Sequence, residues 1–208
     1  MTGPAGRGGG SRDDALIEAG RRVLAIEAAA IEALKGRIDV TFVQACRLIA
    51  GADGRIVVCG LGKSGHVARK IASTLTSTGT AAVYLHPVEA LHGDLGIVGR
   101  SDVAVFVSKS GNVSELGGLL DHLGRMSVPI VAILGTLGGD LARHATMVLD
   151  ASVAEEACPM DLAPTASTTA ALALGDALAM VVLHLKGFHE ADFAALHPGG
   201  ALGRKLSV

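Results

Sequence analysis

Short apolar runs that alternate with helix-like stretches constrain the fold of this 208-residue chain most strongly. The runs are apolar over almost their whole length, which is typical of strands that are buried on both faces of a parallel sheet. Five runs fit this description, at residues 56–59, 82–85, 103–107, 130–134 and 147–149. The sequence therefore predicts an α/β fold, a three-layer αβα sandwich around a five-stranded parallel sheet.

Helices are predicted before, between and after these strands. Apolar residues recur at helical spacing over 13–34 and 40–50, and further helices are predicted over 64–77, 114–124, 139–144 and 167–186. The apolar segment 162–185 is the most membrane-like part of the chain, but it contains Asp176 and His184. A helix buried in a globular fold explains that segment better than a membrane span.

Composition and charge argue against several classes of function. The formal net charge of −2 and the aromatic content of 2% give little reason to bind nucleic acid or an anionic membrane. Three widely spaced cysteines do not suggest a disulfide framework or a zinc site, so a reducing, cytoplasmic compartment is expected. Residues 1–12 lack the apolar core of a signal peptide and are interpreted as a disordered leader before a single domain at 13–208.

The segment GLGKSG at 60–65 matches two nucleotide-binding signatures incompletely. A P-loop requires glycine where the chain has Val57. A dinucleotide site needs a carboxylate at the end of the second strand, but the nearest carboxylate in this chain lies beyond Pro87. An anion site remains, in which Gly62 lets the backbone approach a ligand and Lys63 and Ser64 begin a helix. A tight turn with a solvent-facing lysine explains the segment equally well.

Two more hydroxyl-rich loops come where the predicted sheet would bind a ligand, at or near the carboxyl ends of its strands. Ser108 and Ser110 follow the third strand within SKSG, and the segment 164–169 opens the long final helix. Hydroxyls and N–H groups at a helix start suit a phosphate monoester, whereas ordinary capping needs only one such residue. The final loop offers four of them: Thr165, Ser167, Thr168 and Thr169.

Five stretches together resemble the sugar isomerase (SIS) domain of the D-arabinose-5-phosphate isomerase family, over about residues 13–206. They are GLGKSGHVARKIASTLTSTGT, HPVEALHGDLG, VSKSGNVSE, EEACPMDLAPTASTTAALALGDALA and HPGGALGRKL. The resemblance implies interconversion of D-ribulose 5-phosphate and D-arabinose 5-phosphate through an enediolate, with no cofactor or metal. It also implies a homotetramer with active sites at subunit interfaces.

The functional residues of that family fall on Lys63, His92, Glu156 and His197. Either histidine could act as the base, because an imidazole titrates near neutral pH, and Lys63 could stabilise the developing oxyanion. Glu156 could orient a histidine or carry a hydroxyl proton. The predicted substrate-binding residues are Gly62, Ser64, His86, Ser108, Ser110, Asn112, Thr165, Ser167, Thr168 and Thr169.

Two departures from the family pattern keep alternatives open. Most relatives carry a pair of CBS modules after the isomerase domain, whereas this chain ends at Val208, which implies a form without CBS domains. The family usually carries glutamate where this chain has Asn112, which cannot carry a proton; Glu115 is the candidate to replace it. An isomerase for another ketose phosphate, or a non-catalytic sugar-phosphate sensor, therefore remains an alternative.

Overall fold

A single parallel sheet organises the computed structural model, which describes residues 9–198. Its strands are β1 Ile56–Gly60, β2 Ala82–Leu85, β3 Val103–Ser108, β4 Ile130–Leu134 and β5 Met147–Asp150. They lie in the order β2-β1-β3-β4-β5, and every neighbouring pair is parallel. The predicted five-stranded parallel sheet is confirmed, and the chain order reverses between β1 and β3.

Helices precede the sheet and connect its strands. They are α1 Gly9–Leu34, α2 Val40–Ala50, α3 Gly62–Ser77, α4 Pro87–Ala90, α5 Gly117–Met126, α6 Asp140–His144, α7 Ala166–Leu185 and α8 Glu190–Leu196, with 3-10 turns at Lys35–Arg37 and Asp94–Ile97. Helix α1 begins inside the segment 1–12 that was assigned to a disordered leader, so residues 9–12 are helical. Residues 1–8 and 199–208 lie outside the described part of the chain.

Helix α5 begins three residues later than predicted, at Gly117 instead of Ser114. The reason is a local turn, in which the Ser114 N–H donates to Asn112 Oδ1 over 2.8 Å. Side chains of this kind compete with the helix for backbone N–H groups, so the helix starts only after the turn is complete.

The two faces of the sheet bury separate apolar cores, which explains why the strands are apolar throughout. Val58, Val105 and Ile133 belong to the core that α1, α2, α3 and α7 cover. Phe106 and Leu134 point the other way, into the core beneath α5 and α6. Since successive strand residues face opposite sides, a sheet covered on both faces needs apolar residues at every position. The three-layer αβα arrangement is confirmed.

Helix α7 is the only helix within residues 9–198 that is long and apolar enough, by those criteria alone, to cross a membrane. Nine of its residues are buried in the structure. The helix packs against α1, α2 and α3 in the larger of the two cores. This is the packing of a core helix, as the sequence predicted.

Candidate active site

Two adjoining cavities open at the carboxyl edge of the sheet, where the order of β1 and β3 reverses. The first has a volume of about 220 Å³ and the second about 260 Å³. Polar residues of the first are Lys63, Ser64, Ser108, Lys109, Ser167 and Thr168. The second shares Ser64, Ser108 and Lys109 and adds Ser110, Asn112, Ser114 and Glu115. Each is smaller than a typical ligand pocket of about 300–1,000 Å³, but the two share lining residues and together offer a polar site for one small molecule.

The GLGKSG turn connects β1 to α3 and forms one wall of the first cavity. Gly62 has a φ of +53°, a left-handed conformation that glycine adopts without strain. A Cβ on Gly65 would lie 2.8 Å from the carbonyl oxygen of Gly60, so the strand and helix approach too closely for a side chain. The Tyr84 hydroxyl donates to the same carbonyl over 3.0 Å. The turn is therefore held firmly, with Lys63 lining the cavity.

The SKSG loop at the end of β3 lines both cavities. Its hydroxyl oxygens accept from its own backbone: Gly111 N–H donates to Ser108 Oγ over 3.0 Å, and Asn112 N–H donates to Ser110 Oγ over 3.2 Å. Within residues 9–198 neither hydroxyl donates to another group, so each hydrogen is available to a ligand. The N–H of Gly135, after β4, donates to the Ser108 carbonyl over 3.0 Å and ties the loop to the next strand.

Glu156 is buried at the start of α7, with only 3% of its surface exposed. Its carboxylate accepts from the N–H groups of Thr165 (2.8 Å) and Ser167 (3.1 Å) and from the hydroxyls of the same two residues. Lys109 Nζ lies 2.6 Å from Oε1. Burial alone would raise the pKa of Glu156, but the Lys109 ammonium and the Ser167 and Thr165 donors outweigh it and lower the pKa to about 2.

The anion position that the sequence predicted at the start of α7 is therefore filled by the chain's own carboxylate. Ser167 and Thr168 still line the first cavity. Thr165 instead bonds Glu156, and the Thr169 hydroxyl donates to Glu27 on α1 over 3.0 Å. Thus only two of the four predicted hydroxyl residues of this loop line the cavity.

The three predicted histidines lie outside both cavities in a single protomer. His92 is exposed in the turn after α4. His197, just after α8, stacks on Phe193 with ring centroids 3.9 Å apart, and its Nδ1 lies 2.8 Å from the Phe193 carbonyl oxygen. His86 meets the ring of Tyr84 edge-on, and its buried Nδ1 has no hydrogen-bond partner within the described residues.

Lys109, which the sequence-based prediction left out, lines both cavities. Glu115, which the sequence offered as a replacement for the missing family glutamate, lines the second cavity together with Asn112. The signal for Lys109 was available, because it lies inside SKSG at the carboxyl end of a strand. Within residues 9–198, no three His, Cys, Asp or Glu side chains are grouped so that they could hold a metal ion.

Comparison with known proteins assigns the family. The SIS domain matches residues 48–181, which is more than half of the chain. This chain belongs to the SIS-domain family. The SIS-domain chain is 50% identical over 193 residues to arabinose 5-phosphate isomerase GutQ of Salmonella typhimurium, covering 93% of this chain and 60% of that relative. It is 48% identical over 191 residues to arabinose 5-phosphate isomerase KdsD of Pseudomonas aeruginosa, covering 92% and 59%.

A solved structure agrees over nearly its whole length. The structure of E. coli CFT073 c3406 in complex with A5P is 34% identical and superposes with a TM-score of 0.85, covering 89% of this chain and 98% of that one. The chain thus spans about 60% of the length of the curated relatives but almost all of c3406.

Proposed function

We propose that this SIS-domain chain is an aldose–ketose isomerase that interconverts D-ribulose 5-phosphate and D-arabinose 5-phosphate through an enediolate. The observation that carries the proposal is the convergence of the GLGKSG turn and the SKSG loop on one small polar cavity. The names of the relatives at about 50% identity, and the A5P bound by c3406, support this choice of substrate.

The cavity residues supply most of the chemistry that the isomerisation requires. Moving a proton between C1 and C2 needs a base and a positive group beside the developing oxyanion. Lys63 can be that positive group. Glu156 holds an ion pair and four hydrogen bonds from α7, which suits it to fixing Lys109 and the start of α7 and not to carrying a proton. Glu115, beside Asn112, is the carboxylate that we assign to proton transfer.

We also propose that the protein is a homotetramer with sites at its subunit interfaces. His92 and His197, which the family resemblance marks as functional, do not reach the cavities of their own protomer. In addition, α1 exposes 67% of Leu16, 51% of Ile17 and 69% of Leu24, an apolar surface suited to burial against a second copy. The three free cysteines fit a reducing compartment, and we propose a cytoplasmic location.

Isomerisation in deuterated water tests the proposed activity directly. The purified protein is incubated with D-ribulose 5-phosphate, and aldose formation and deuterium at C2 are followed by NMR. Formation of D-arabinose 5-phosphate supports the proposal, and D-ribose 5-phosphate would point to another ketose–aldose pair. A folded protein that gives neither an aldose nor exchange would overturn the isomerase function and leave the sugar-phosphate sensor.

The same assay identifies the base. Glu115→Gln removes the carboxylate from the second cavity, and loss of general base catalysis typically lowers turnover by about 10² to 10⁴. Asp121→Asn, an exposed change on α5 that lines neither cavity, is the matched control and should turn over like wild type. If Glu115→Gln keeps turnover within a few-fold of wild type, the base is one of the histidines instead.

A further inference from the structure

Lys109 is the one cation, within the described residues, that lines both cavities. We propose that its ammonium binds the phosphoryl group of the substrate and so makes the site selective for phosphorylated over neutral sugars. The inference rests on the proposed function, because it names a substrate contact of the same site.

The backbone of Lys109 is fixed, which gives its side chain a defined origin. A Cβ on Gly135 would lie 2.8 Å from the Lys109 carbonyl oxygen and 3.1 Å from its Cα, so the loop after β4 packs directly against it. Gly111 has a φ of +66° and is equally close to that segment, since its Cβ would lie 3.1 Å from the Thr136 carbonyl oxygen. Preorganised groups lose little entropy when a ligand binds.

The ammonium of Lys109 is anchored but not saturated. One contact is the 2.6 Å ion pair with Glu156 Oε1, and 44% of the lysine side chain remains exposed. An ammonium has three donors, so two remain for oxygen atoms in the cavities. Glu156 has no comparable capacity left, because four hydrogen bonds from Thr165 and Ser167 already occupy its carboxylate. The ion pair therefore orients the Lys109 side chain but uses only one of the three N–H donors of its ammonium.

A phosphoryl group has few other side-chain donors available in the first cavity. The Ser167 hydroxyl donates to Glu156, and the Thr168 hydroxyl donates to the Thr165 carbonyl over 2.8 Å. Ser64 and Ser108 keep their hydroxyl hydrogens within the described residues, but they carry no charge. A phosphate monoester carries a charge of about −1.5 to −2 at neutral pH, which the single positive charge of Lys63 does not balance. Lys109 supplies the second cation.

Inorganic phosphate binding, measured by calorimetry, tests the contact without turnover. Lys109→Gln removes the charge, Lys109→Arg keeps it, and Lys70→Gln is the matched control. Lys70 also forms a 2.6 Å ion pair, with Asp176, but lines neither cavity. Losing a charged hydrogen bond should weaken phosphate binding by about 10- to 100-fold in Lys109→Gln. Lys109→Arg and Lys70→Gln should stay within about threefold of wild type.

Kinetics provide the second readout. In Lys109→Gln the KM for D-arabinose 5-phosphate should rise by a similar factor, more than kcat falls, while weak inhibition by neutral D-arabinose stays unchanged. Phosphate affinity that is unaltered in Lys109→Gln, or weakened equally in Lys70→Gln, would overturn the proposal, as would a wild-type protein that does not bind phosphate.

Removing Lys109 leaves Glu156 buried without its cation, which can prevent folding. The double variant Lys109→Gln/Glu156→Gln removes that unpaired charge, and its phosphate affinity is judged by the same criterion. Failure of the proposed function is a separate result, since it would be seen in the wild-type isomerase assay. A wild type that binds phosphate through Lys109 but isomerises no sugar phosphate would refute the activity and keep the contact.

Discussion

Glu156 shows how a single buried carboxylate can be kept charged. Burial disfavours its ionised form, yet five donor atoms from Lys109, Thr165 and Ser167 surround it. The N–H groups belong to the start of α7, where the helix dipole also favours negative charge. The result is an internal anion that joins the SKSG loop to α7, two elements that both line the first cavity.

The pH dependence of stability should reveal this carboxylate. Its pKa is about 2 in the folded protein against an ordinary value of 4.5, so the unfolded chain takes up the proton more readily. The contribution of Glu156 is therefore complete above about pH 5 and is lost as the pH falls towards 2; it amounts to about 3 kcal/mol. Denaturant unfolding of wild type and Glu156→Gln across this range measures it.

The control is Glu155→Gln, because Glu155 is the adjacent carboxylate, 55% exposed and 3.8 Å from Arg22. We expect Glu155→Gln to lose stability in acid as steeply as wild type, whereas Glu156→Gln should lose less. Parallel curves for wild type and Glu156→Gln would show that Glu156 is not held ionised by folding.

The backbone of the turn between β1 and α3 depends on two glycines. Gly60 and Gly65 lie against each other, and a Cβ on Gly65 would also come within 2.9 Å of the Tyr84 hydroxyl. These contacts involve backbone that cannot move without displacing Lys63 and Ser64. The glycines therefore set the shape of the proposed sugar-phosphate site, although their spacing is that of a dinucleotide fingerprint.

Gly65→Ala should lower the free energy of unfolding by about 1–3 kcal/mol, as overpacking of a closely packed site does. Gly124→Ala is the opposite case, because its Cβ would meet nothing within 4 Å inside α5. Replacing that helical glycine should stabilise the protein by about 0.5–1 kcal/mol. Thermal and denaturant unfolding of both variants checks the pair, and equal effects in the two would contradict the steric explanation.

Strands were predictable from the sequence to within one residue at each end. Their continuous apolar runs are required by burial on both faces, so pattern and fold agree. Helix α4 was not predictable, because it spans only Pro87–Ala90, too few residues to show a helical period. The late start of α5 depends on a side-chain hydrogen bond of Asn112, which no apolar spacing reveals.

The sequence predicted the site residues that follow strand ends, but it did not predict which side chains hydrogen-bond one another within the site. The carboxyl ends of all strands meet at one edge of a parallel sheet, so Lys63, Ser64 and Ser108 were expected at that edge. Because β1 and β3 are neighbours in this sheet, the three residues line one cavity. The hydroxyls at the start of α7 suggested a phosphate position, because their pattern does not show that Glu156 folds back over them. That contact between Glu156 and the start of α7 is seen only in the three-dimensional path of residues 156–167.

At the scale of the whole molecule, the two cavities of one protomer bring together only part of the set of functional residues that the family resemblance implies. Lys63 lines the first cavity, whereas His92 and His197 lie elsewhere on the surface. A closed oligomer could bring them to the cavity of a neighbouring copy, because symmetric assembly repeats every surface contact. This makes the proposed assembly testable through activity and not only through size.

Two inactive variants should then restore activity when they share an oligomer. Lys63→Met and His92→Gln are co-expressed with different tags and purified through both. If each site takes Lys63 from one subunit and His92 from another, random mixing leaves about ½ × ½, or roughly a quarter, of the sites intact. Lys63→Met mixed with Ser108→Ala is the control, because both residues line one cavity of the same protomer and no site regains both. Mixed Lys63→Met/His92→Gln oligomers that stay as inactive as their parents would show that His92 is not supplied by a neighbour.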